Sequence, residues 1–212
     1  MQRLPLANAE VDYEEDFALG ESPAALLDRL ITELPWRREA IVLWGRRYEQ
    51  PRLIAWHGDP GAIYRYSGVR HEPLAWTPTL REIKRRVEER LGLAFDSALA
   101  NYYRDHRDGM GYHSDDEPEL GARPIIASVS LGAERRFVFR SRLARQIPPW
   151  QLRLASGSLL VMRGDTQRFW RHGLPKQSRP CGPRVNLTFR RIVAAATPVD
   201  APLVRDGQSA RR

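Results

Sequence analysis

Two segments in the N-terminal half of the chain carry apolar residues at helical spacing. In the first, which begins at Ser22 and Pro23, the apolar side chains are Leu26, Leu27, Leu30, Ile31 and Leu34. In the second, residues 78–91, the apolar stripe consists of Leu80, Ile83, Val87 and Leu91. A capping serine, a proline in the first turn and a stripe of period 3.6 are typical of amphipathic helices. We therefore predict helices from Ser22 to about Leu34 and over residues 78–91.

From about Ala94 the pattern changes to short β-prone runs separated by turn-forming residues. These runs are Ser97–Tyr103, Ile125–Leu131, Arg136–Arg140, Gln151–Leu154, Ser158–Arg163, Arg168–Arg171 and Val185–Ile192. Regular short strands with such turns predict an antiparallel sandwich or jelly roll, a class that includes cupin-like barrels. The predicted fold is therefore mainly β, with helices in the N-terminal part.

Between the two predicted helices, the pattern indicates a hairpin with a basic tip. The apolar runs Ala40–Trp44 and Leu53–Trp56 flank Gly45-Arg46-Arg47, and Arg52 directly precedes the second run. Five arginines around this turn favour a tip that faces solvent or phosphate: Arg37, Arg38, Arg46, Arg47 and Arg52. Trp44 at such a tip is either a core residue or an exposed ring.

The two ends of the chain lack these patterns. Residues 1–16 are polar and acidic, and we expect them to lie loosely on the surface. The tail from Val193 to Arg212 is rich in Ala, Pro, Ser and Asp and is expected to be disordered. The prediction thus divides the chain into residues 1–93, with the helices and a lid, a β core of residues 94–192, and the tail 193–212.

Composition narrows the class of protein. Hydrophobic residues make up 42% and charged residues 28% of the 212 residues, as in ordinary globular proteins. The single cysteine, Cys181, excludes an internal disulfide framework and a cysteine-based zinc site. No apolar run is long enough for a membrane span, and the N-terminus lacks the apolar region of a signal peptide. We expect a monomer in the cytoplasm, associated with the nucleoid if the source is prokaryotic.

The charge balance points to a partner. A formal net charge of +8 gives a surface that favours polyanions, above all nucleic acid. In the lid region, Tyr64 and Tyr66 alternate onto one face of a predicted strand and are interleaved with arginine. Such tyrosines either pack within a sheet or stack on bases.

The candidate chemistry centres on His113-Ser114-Asp115. Side chains two apart on a strand project from the same face, so His113 and Asp115 would lie side by side. With a second histidine they would form the facial triad of non-heme Fe(II) oxygenases. Of the other histidines, His57 and His71 precede the β-rich half and His106 sits in a polar turn. His172 is the late histidine that such a triad needs, although a lone histidine is also an ordinary surface or core residue.

The last predicted strand alternates in an informative way. Its residues RVNLTFR place Arg184, Asn186, Thr188 and Arg190 on one face and three apolar side chains on the other. On the inner face of a barrel, four polar groups need partners, and a dicarboxylate held by arginines would satisfy them. The solvent-facing side of an edge strand explains the same alternation.

Several motifs occur together in a fixed order. They are N-x-Y at Asn101 and Tyr103, H-S-D-D-E at His113 to Glu117, P-I-x-x-S-V-S-L-G at Pro124 to Gly132, His172, and RVNLTFR at Arg184 to Arg190. This set resembles the AlkB family of Fe(II)/2-oxoglutarate-dependent dioxygenases, which repair alkylated bases. FVFR at Phe137 to Arg140 and GDPGAIYRYSG at Gly58 to Gly68 are similar to the branch that acts on double-stranded DNA. The likeness covers roughly Leu43 to Ile192.

The resemblance implies a double-stranded β-helix with a nucleotide-recognition lid, and a role for each matching residue. It implies that His113, Asp115 and His172 bind Fe(II) and carry catalysis. It implies that 2-oxoglutarate lies between Arg184 and Arg190, assisted by Asn101, Tyr103, Asn186 and Thr188. For the substrate, it implies that Trp44 fills the gap left by a flipped base, that Tyr66 and His113 sandwich this base, and that Tyr64, Ser67, Asp116 and Glu117 lie near its edge.

The implied reaction is oxidative demethylation of bases such as 1-methyladenine and 3-methylcytosine in DNA, which releases formaldehyde, succinate and carbon dioxide. Two alternatives stay open. The same chemistry could act on RNA or on protein side chains, and protein fits the basic lid poorly. A non-catalytic jelly roll that binds nucleic acid is the alternative from another class.

Overall fold

The computed structural model describes residues 1–43, 45–62, 64–66, 69–143 and 146–193, and the side chains of 41–43, 64–66 and 69–71 are not described. The predictions for Trp44, Ser67 and the tail from residue 194 onward lie outside these residues.

The predicted jelly-roll architecture is confirmed by two antiparallel sheets that face each other. The larger sheet has the order β1-β2-β12-β9-β14-β7-β4-β3. Its strands are β1 (Gln2–Arg3), β2 (Glu10–Glu14), β3 (Arg37–Leu43), β4 (Arg46–Gly58), β7 (Ser97–Tyr103), β9 (Ile126–Gly132), β12 (Ser158–Arg163) and β14 (Arg184–Arg190).

The smaller sheet has the order β11-β10-β13-β8. Its strands are β8 (Met110–His113), β10 (Arg135–Ser141), β11 (Trp150–Leu154) and β13 (Trp170–Leu174). A separate pair of short strands, β5 (Tyr64–Tyr66) and β6 (Val69–His71), lies in the segment for which a lid is predicted.

The two main helices form as the sequence predicts. Helix α1 (Pro23–Glu33) begins after Ser22, whose Oγ accepts a hydrogen bond from the amide of Ala25 at 3.3 Å. Helix α2 (Pro78–Leu91) is capped by Thr77 and ends at Gly92, which has the left-handed φ of 64° that favours glycine. The longest described helix has 14 residues, and none of the helices described has the length and apolar character that crossing a bilayer requires.

Strand alternation divides the large sheet into two faces. On β14, Val185, Leu187 and Phe189 pack against the helices in one apolar cluster, which also holds Leu30 and Ile83. The opposite face turns toward the small sheet, where a second apolar cluster includes Val11, Tyr13, Ile126, Phe139, Leu160, Met162 and Trp170. Because side chains alternate with period two, the polar residues of β14 are directed into the space between the sheets.

The expectation for residues 1–16 is wrong. Strand β2 pairs with β12 in the large sheet, and Leu4, Leu6, Val11 and Tyr13 are buried. Four buried apolar side chains are enough to anchor this segment, because β12 supplies hydrogen-bond partners for the backbone of β2.

The prediction of a strand over Arg168–Arg171 is half wrong. Thr166–Phe169 form a short helix, α3, and the strand begins at Trp170. The proposed division of the chain at residue 93 stays a prediction. Strands from both of the segments that it separates take part in the large sheet.

Candidate metal and co-substrate site

The pairing of β8 with β13 brings two distant histidines together. His113 and His172 are register partners in the small sheet, and their ring centroids lie 4.4 Å apart. The Asp115 carboxylate faces both rings, with His113 Nε2 at 3.9 Å from Oδ1 and His172 Nε2 at 3.7 Å from Oδ2. Ligand atoms of these three residues all lie within 4.8 Å of one another.

The local explanation for this convergence differs from the prediction. Strand β8 ends at His113, so Asp115 lies beyond it and is not placed by strand alternation. Its amide instead donates to Gln167 Oε1 at 3.0 Å, and Arg190 Nη2 donates to its Oδ1 at 2.7 Å. Asp115 is thus held by side chains from α3 and β14.

The charges suit a divalent cation. Burial alone raises the pKa of the Asp115 carboxyl, but the Arg190 charge and the two histidines outweigh it and hold this pKa well below its usual range. Burial lowers the pKa of His172 to about 3, and the neighbouring His113 ring acts in the same direction. At neutral pH the cluster therefore presents an anionic carboxylate and a neutral His172 ring, which is the form that binds metal.

Hydrogen bonds orient the donor atoms. His113 Nδ1 lies 3.0 Å from the carbonyl oxygen of Gly111, which leaves Nε2 free to face Asp115. Asp115 Oδ2 is buried without a hydrogen-bond partner among the described residues. Two imidazoles and a carboxylate with an unsatisfied oxygen fit the two-histidine, one-carboxylate face on which non-heme Fe(II) is bound.

The polar side of β14 is buried, which excludes the edge-strand explanation. Strand β14 lies between β9 and β7, and all seven of its residues are buried. Its polar residues line a cavity of about 450 Å³, open mouth included, together with the metal-ligand candidates. The residues that the cavity brings together are Asn101, Tyr103, His113, Asp115, His172, Arg184, Asn186, Thr188 and Arg190.

The two arginines of β14 have different surroundings. Arg190 is paired with Asp115, as described above. Arg184 donates from Nη2 to Ser130 Oγ at 2.8 Å, and its guanidinium lies 5.2 Å from the centre of the Tyr103 ring. No carboxylate of the described residues pairs with Arg184, and its Nε is buried without a hydrogen-bond partner there. Burial lowers its pKa to about 10, so the charge persists at neutral pH.

The smaller polar groups are mostly engaged with the protein. Asn186 Nδ2 donates to Ser128 Oγ at 2.8 Å and to the carbonyl of Val129 at 2.9 Å. Thr188 Oγ1 donates to Asn186 Oδ1 at 3.1 Å. These contacts fix the cavity wall beside Arg184. The Arg184 guanidinium is therefore a cavity group available to bind an external carboxylate.

Arg52 is a site residue that the sequence pattern misplaced. It is 4% exposed and does not face solvent, and its Nε donates to Asn101 Oδ1 at 2.8 Å. The sequence contains a pattern that indicates this burial. Arg52, Ile54 and Trp56 alternate along β4 and so share one face, on which Ile54 and Trp56 are buried. Arg52 thereby fixes the amide of Asn101 at the cavity wall.

Two further residues could not be found from local spacing because their partners are distant in sequence. Gln167 is buried and holds Asp115. Arg142 Nη1 donates to Asp116 Oδ2 at 2.7 Å, to Ser114 Oγ at 3.2 Å and to the Gln167 carbonyl at 3.0 Å. It therefore connects the segment after His113 to α3.

The predicted substrate residues are only partly described. Asp116 is exposed apart from its pairing with Arg142, and Glu117 is half-buried. Tyr64 and Tyr66 lie in β5, and their side chains are outside the part of the chain that the structure describes. The predicted grouping of these residues around a base therefore stays a prediction.

The chain is similar to known proteins in sequence and in fold. The sequence profile of the 2OG-Fe(II) oxygenase superfamily matches residues 13–190. The human alpha-ketoglutarate-dependent dioxygenase alkB homolog 3 is 41% identical over 175 residues, which cover 79% of this chain and 60% of that protein. The mouse DNA oxidative demethylase ALKBH2 is 42% identical over 159 residues, which cover 72% and 66%.

The chain thus spans about three fifths of the length of these relatives. The solved structure of OsALKBH1 superimposes with a TM-score of 0.60 at 18% identity and covers 85% of this chain and 97% of its own. At that identity it supports the fold alone.

Proposed function

Because the chain belongs to the 2OG-Fe(II) oxygenase superfamily, we propose that it is a dioxygenase that removes methyl groups from N-alkylated bases in DNA. The observation that carries this proposal is the convergence of His113, Asp115 and His172 in a cavity that also holds the unpaired buried charge of Arg184. The family uses Fe(II) and 2-oxoglutarate, and these residues fit both.

In this proposal, His113, Asp115 and His172 hold Fe(II) through Nε2, a carboxylate oxygen and Nε2. When bound, the iron supplies the oxidising chemistry, with 2-oxoglutarate and dioxygen as co-substrates, that hydroxylates the N-methyl carbon. Arg184 binds one carboxylate of 2-oxoglutarate, with Tyr103 and Asn101 beside it. Arg190 is assigned to the other carboxylate of 2-oxoglutarate, and its 2.7 Å contact also keeps Asp115 ionised and fixed in position.

The cavity walls contribute by excluding water. Phe137 stacks on the His172 ring with centroids 5.4 Å apart, and Leu154, Met162 and Leu174 complete an apolar lining. In such surroundings the charges of Arg184 and Asp115 act at a lower dielectric than in water and hold their ligands more strongly.

The substrate class rests on separate arguments. The net charge of +8 favours a polyanion. N1-methyladenine and N3-methylcytosine are cationic, and Asp116 and Glu117 follow the metal-ligand segment, where their carboxylates would favour a positive base. Tyr66 and His113 would sandwich the flipped base and Trp44 would fill the gap it leaves. Flipping costs a few kcal/mol and least for a poorly paired base.

The test is release of formaldehyde from an oligonucleotide that contains N3-methylcytosine, with Fe(II) and 2-oxoglutarate. We expect turnover that a chelator abolishes and that His172→Ala lacks, whereas His106→Ala, a histidine outside the cavity, retains it. Duplex DNA, single-stranded DNA and RNA that carry the same lesion compare the substrate classes. Absence of formaldehyde and succinate with every methylated substrate would contradict the proposal and favour a non-catalytic nucleic-acid-binding jelly roll.

A further inference from the structure

The outer face of the small sheet carries four arginines in one patch. Phe137 and Phe139 of β10 point inward, where both rings contact His172. By alternation Arg136 and Arg140 point outward, and the side chains opposite them on the neighbouring strands point the same way. These are Arg153, the register partner of Arg136, and Arg171, the register partner of Arg140. We call Arg136, Arg140, Arg153 and Arg171 the outer arginine face.

This arrangement is costly for the free protein. Like charges directly opposite each other on neighbouring strands are destabilising. Only Arg153 has a carboxylate partner among the described residues, Glu134 at 2.8 Å. Arg136, Arg140 and Arg171 are exposed and pair with no carboxylate in the part of the chain that the structure describes. The face is therefore a region of uncompensated positive charge.

The position and spacing of these arginines also suit the phosphates of a nucleic-acid strand. The Arg140 guanidinium lies over the Tyr112 ring at 3.9 Å from its centre. An arginine placed on an aromatic face can still bind a phosphate through the N–H groups at its edge. Arg136 and Arg140 are four residues apart on one strand, about 13 Å, which matches the rise of about four nucleotides along one strand of a duplex. The one apolar residue between them on this face, Val138, is 3% exposed.

We propose that the outer arginine face binds the sugar–phosphate backbone of the DNA substrate, outside the cavity that holds the reacting base. This inference rests on the proposed function, since it adds a contact surface for the same substrate. Arg171 directly precedes His172, so the face lies on the other side of the same strand as the candidate iron site. A flat face of arginines without exposed apolar residues fits phosphates better than a protein partner, whose binding core is enriched in aromatic residues.

The proposal is tested with Arg136→Gln/Arg171→Gln and with the control Arg29→Gln/Arg81→Gln. The control removes the same charge from helices α1 and α2, on the far side of the large sheet. The affinity of each protein for a fluorescent unmethylated duplex is measured between 50 and 300 mM salt. We expect the first variant to bind roughly tenfold more weakly at low salt, and its slope of log K against log salt to fall by about 1.8, or about 0.9 for each phosphate that the variant no longer neutralises.

Two further measurements make the result specific. Removing one arginine from each like-charged pair should leave the Tm equal or higher, so a weaker affinity at unchanged Tm excludes misfolding. Formaldehyde release from a methylated trinucleotide, which is too short to reach the face, should match the wild type. Equal affinity and equal salt slope for both double variants would overturn the proposal. Failure of the wild type to release formaldehyde from any substrate would overturn the proposed function instead, and the binding data would still decide on the face.

Discussion

Arg184 and Arg135 are both almost completely buried, yet their surroundings assign them opposite roles. Arg135 donates to three carbonyl oxygens, those of Asp105, Asp108 and Pro175, at 2.9 to 3.1 Å. Arg184 has Ser130 Oγ as its hydrogen-bond partner and no carboxylate in the described chain. A buried charge without compensation is unfavourable, so Arg184 is maintained at a cost to stability that a bound dicarboxylate would offset.

We therefore expect Arg184→Met and Arg135→Met to have different effects on the free energy of unfolding. Without ligand, Arg184→Met should leave the free energy of unfolding unchanged or raise it by roughly 1 kcal/mol, because it removes an uncompensated charge. Arg135→Met should lower it by roughly 2–4 kcal/mol, because three carbonyl oxygens lose a hydrogen bond from a charged donor and the one to Asp108 is fully buried. Urea denaturation measures both. A large loss of stability in Arg184→Met would assign Arg184 to the scaffold instead of the co-substrate.

His57 gives the fold a dependence on pH that is separate from the cavity. Its Nδ1 lies 2.8 Å from the carbonyl oxygen of Ala75, Nε2 is buried without a hydrogen-bond partner in the described residues, and burial lowers its pKa. At pH 7.5 the ring is neutral in both states and adds no pH dependence. Below its unfolded pKa of 6.5 the unfolded chain takes up a proton that the folded one does not. Stability is therefore lost as the pH falls through this range.

The corresponding prediction compares His57→Gln with the wild type at pH 7.5 and 5.5. Between these values the wild type should lose more unfolding free energy than the variant, because only the wild type carries the buried imidazole whose pKa is lowered. Chemical denaturation at each pH gives the difference. His106→Gln serves as the control for a histidine on the surface turn, and an identical pH dependence in His57→Gln and the wild type would contradict the assignment.

At the scale of elements, β2 shows how far a local pattern reaches. Both main helices follow their sequence signals closely because caps and apolar stripes are local. Strand β2 has no such signal, since its stability comes from β12, which pairs Val161 with Asp12 and Met162 with Val11. The same reason applies to Asp115, whose position depends on Gln167 and Arg190, and to Arg52, whose partner is on β7.

The sequence therefore predicted which residues belong to the candidate site, but not which residues hold them in place. The residue types and order of His113, Asp115, His172 and the β14 face identified which side chains belong together. Alternation also predicted the two faces of β14. The side chains that hold them in place come from elements distant in sequence, and neither spacing nor propensity reports such contacts.

Strand β2 also makes a testable claim about stability. Val11 is fully buried in the cluster between the sheets, so Val11→Ala should lower the free energy of unfolding by roughly 1–3 kcal/mol through reduced burial and a residual cavity. Glu15→Ala, an exposed position one residue beyond the strand, should change it by less than about 0.5 kcal/mol. Thermal unfolding of the two variants measures both changes. Equal losses of stability would contradict the buried position of Val11 and favour the original prediction that this segment lies loosely on the surface.

For the whole molecule, ligands that bind only the folded state should raise the Tm. At a hundred times its Kd a ligand adds about 2.7 kcal/mol, which for a chain of this size corresponds to a rise of roughly 5–10 °C. Mn(II), a redox-stable probe, with 2-oxoglutarate should produce this rise, and a chelator should reverse it. His172→Ala should show no response to the metal, and a wild-type rise that persists in this variant would place the metal elsewhere.

The pairing of His113 with His172 has a consequence for assembly. The two rings converge because their strands meet in one register, and a shift by one residue would turn one ring to the opposite face of the sheet. In a barrel closed with β8 misaligned by one residue, the three ligand side chains would no longer converge, so such a chain would lack the metal site. Because a ligand that binds one form of a protein stabilises that form alone, bound metal would favour the barrel in which β8 and β13 are correctly aligned.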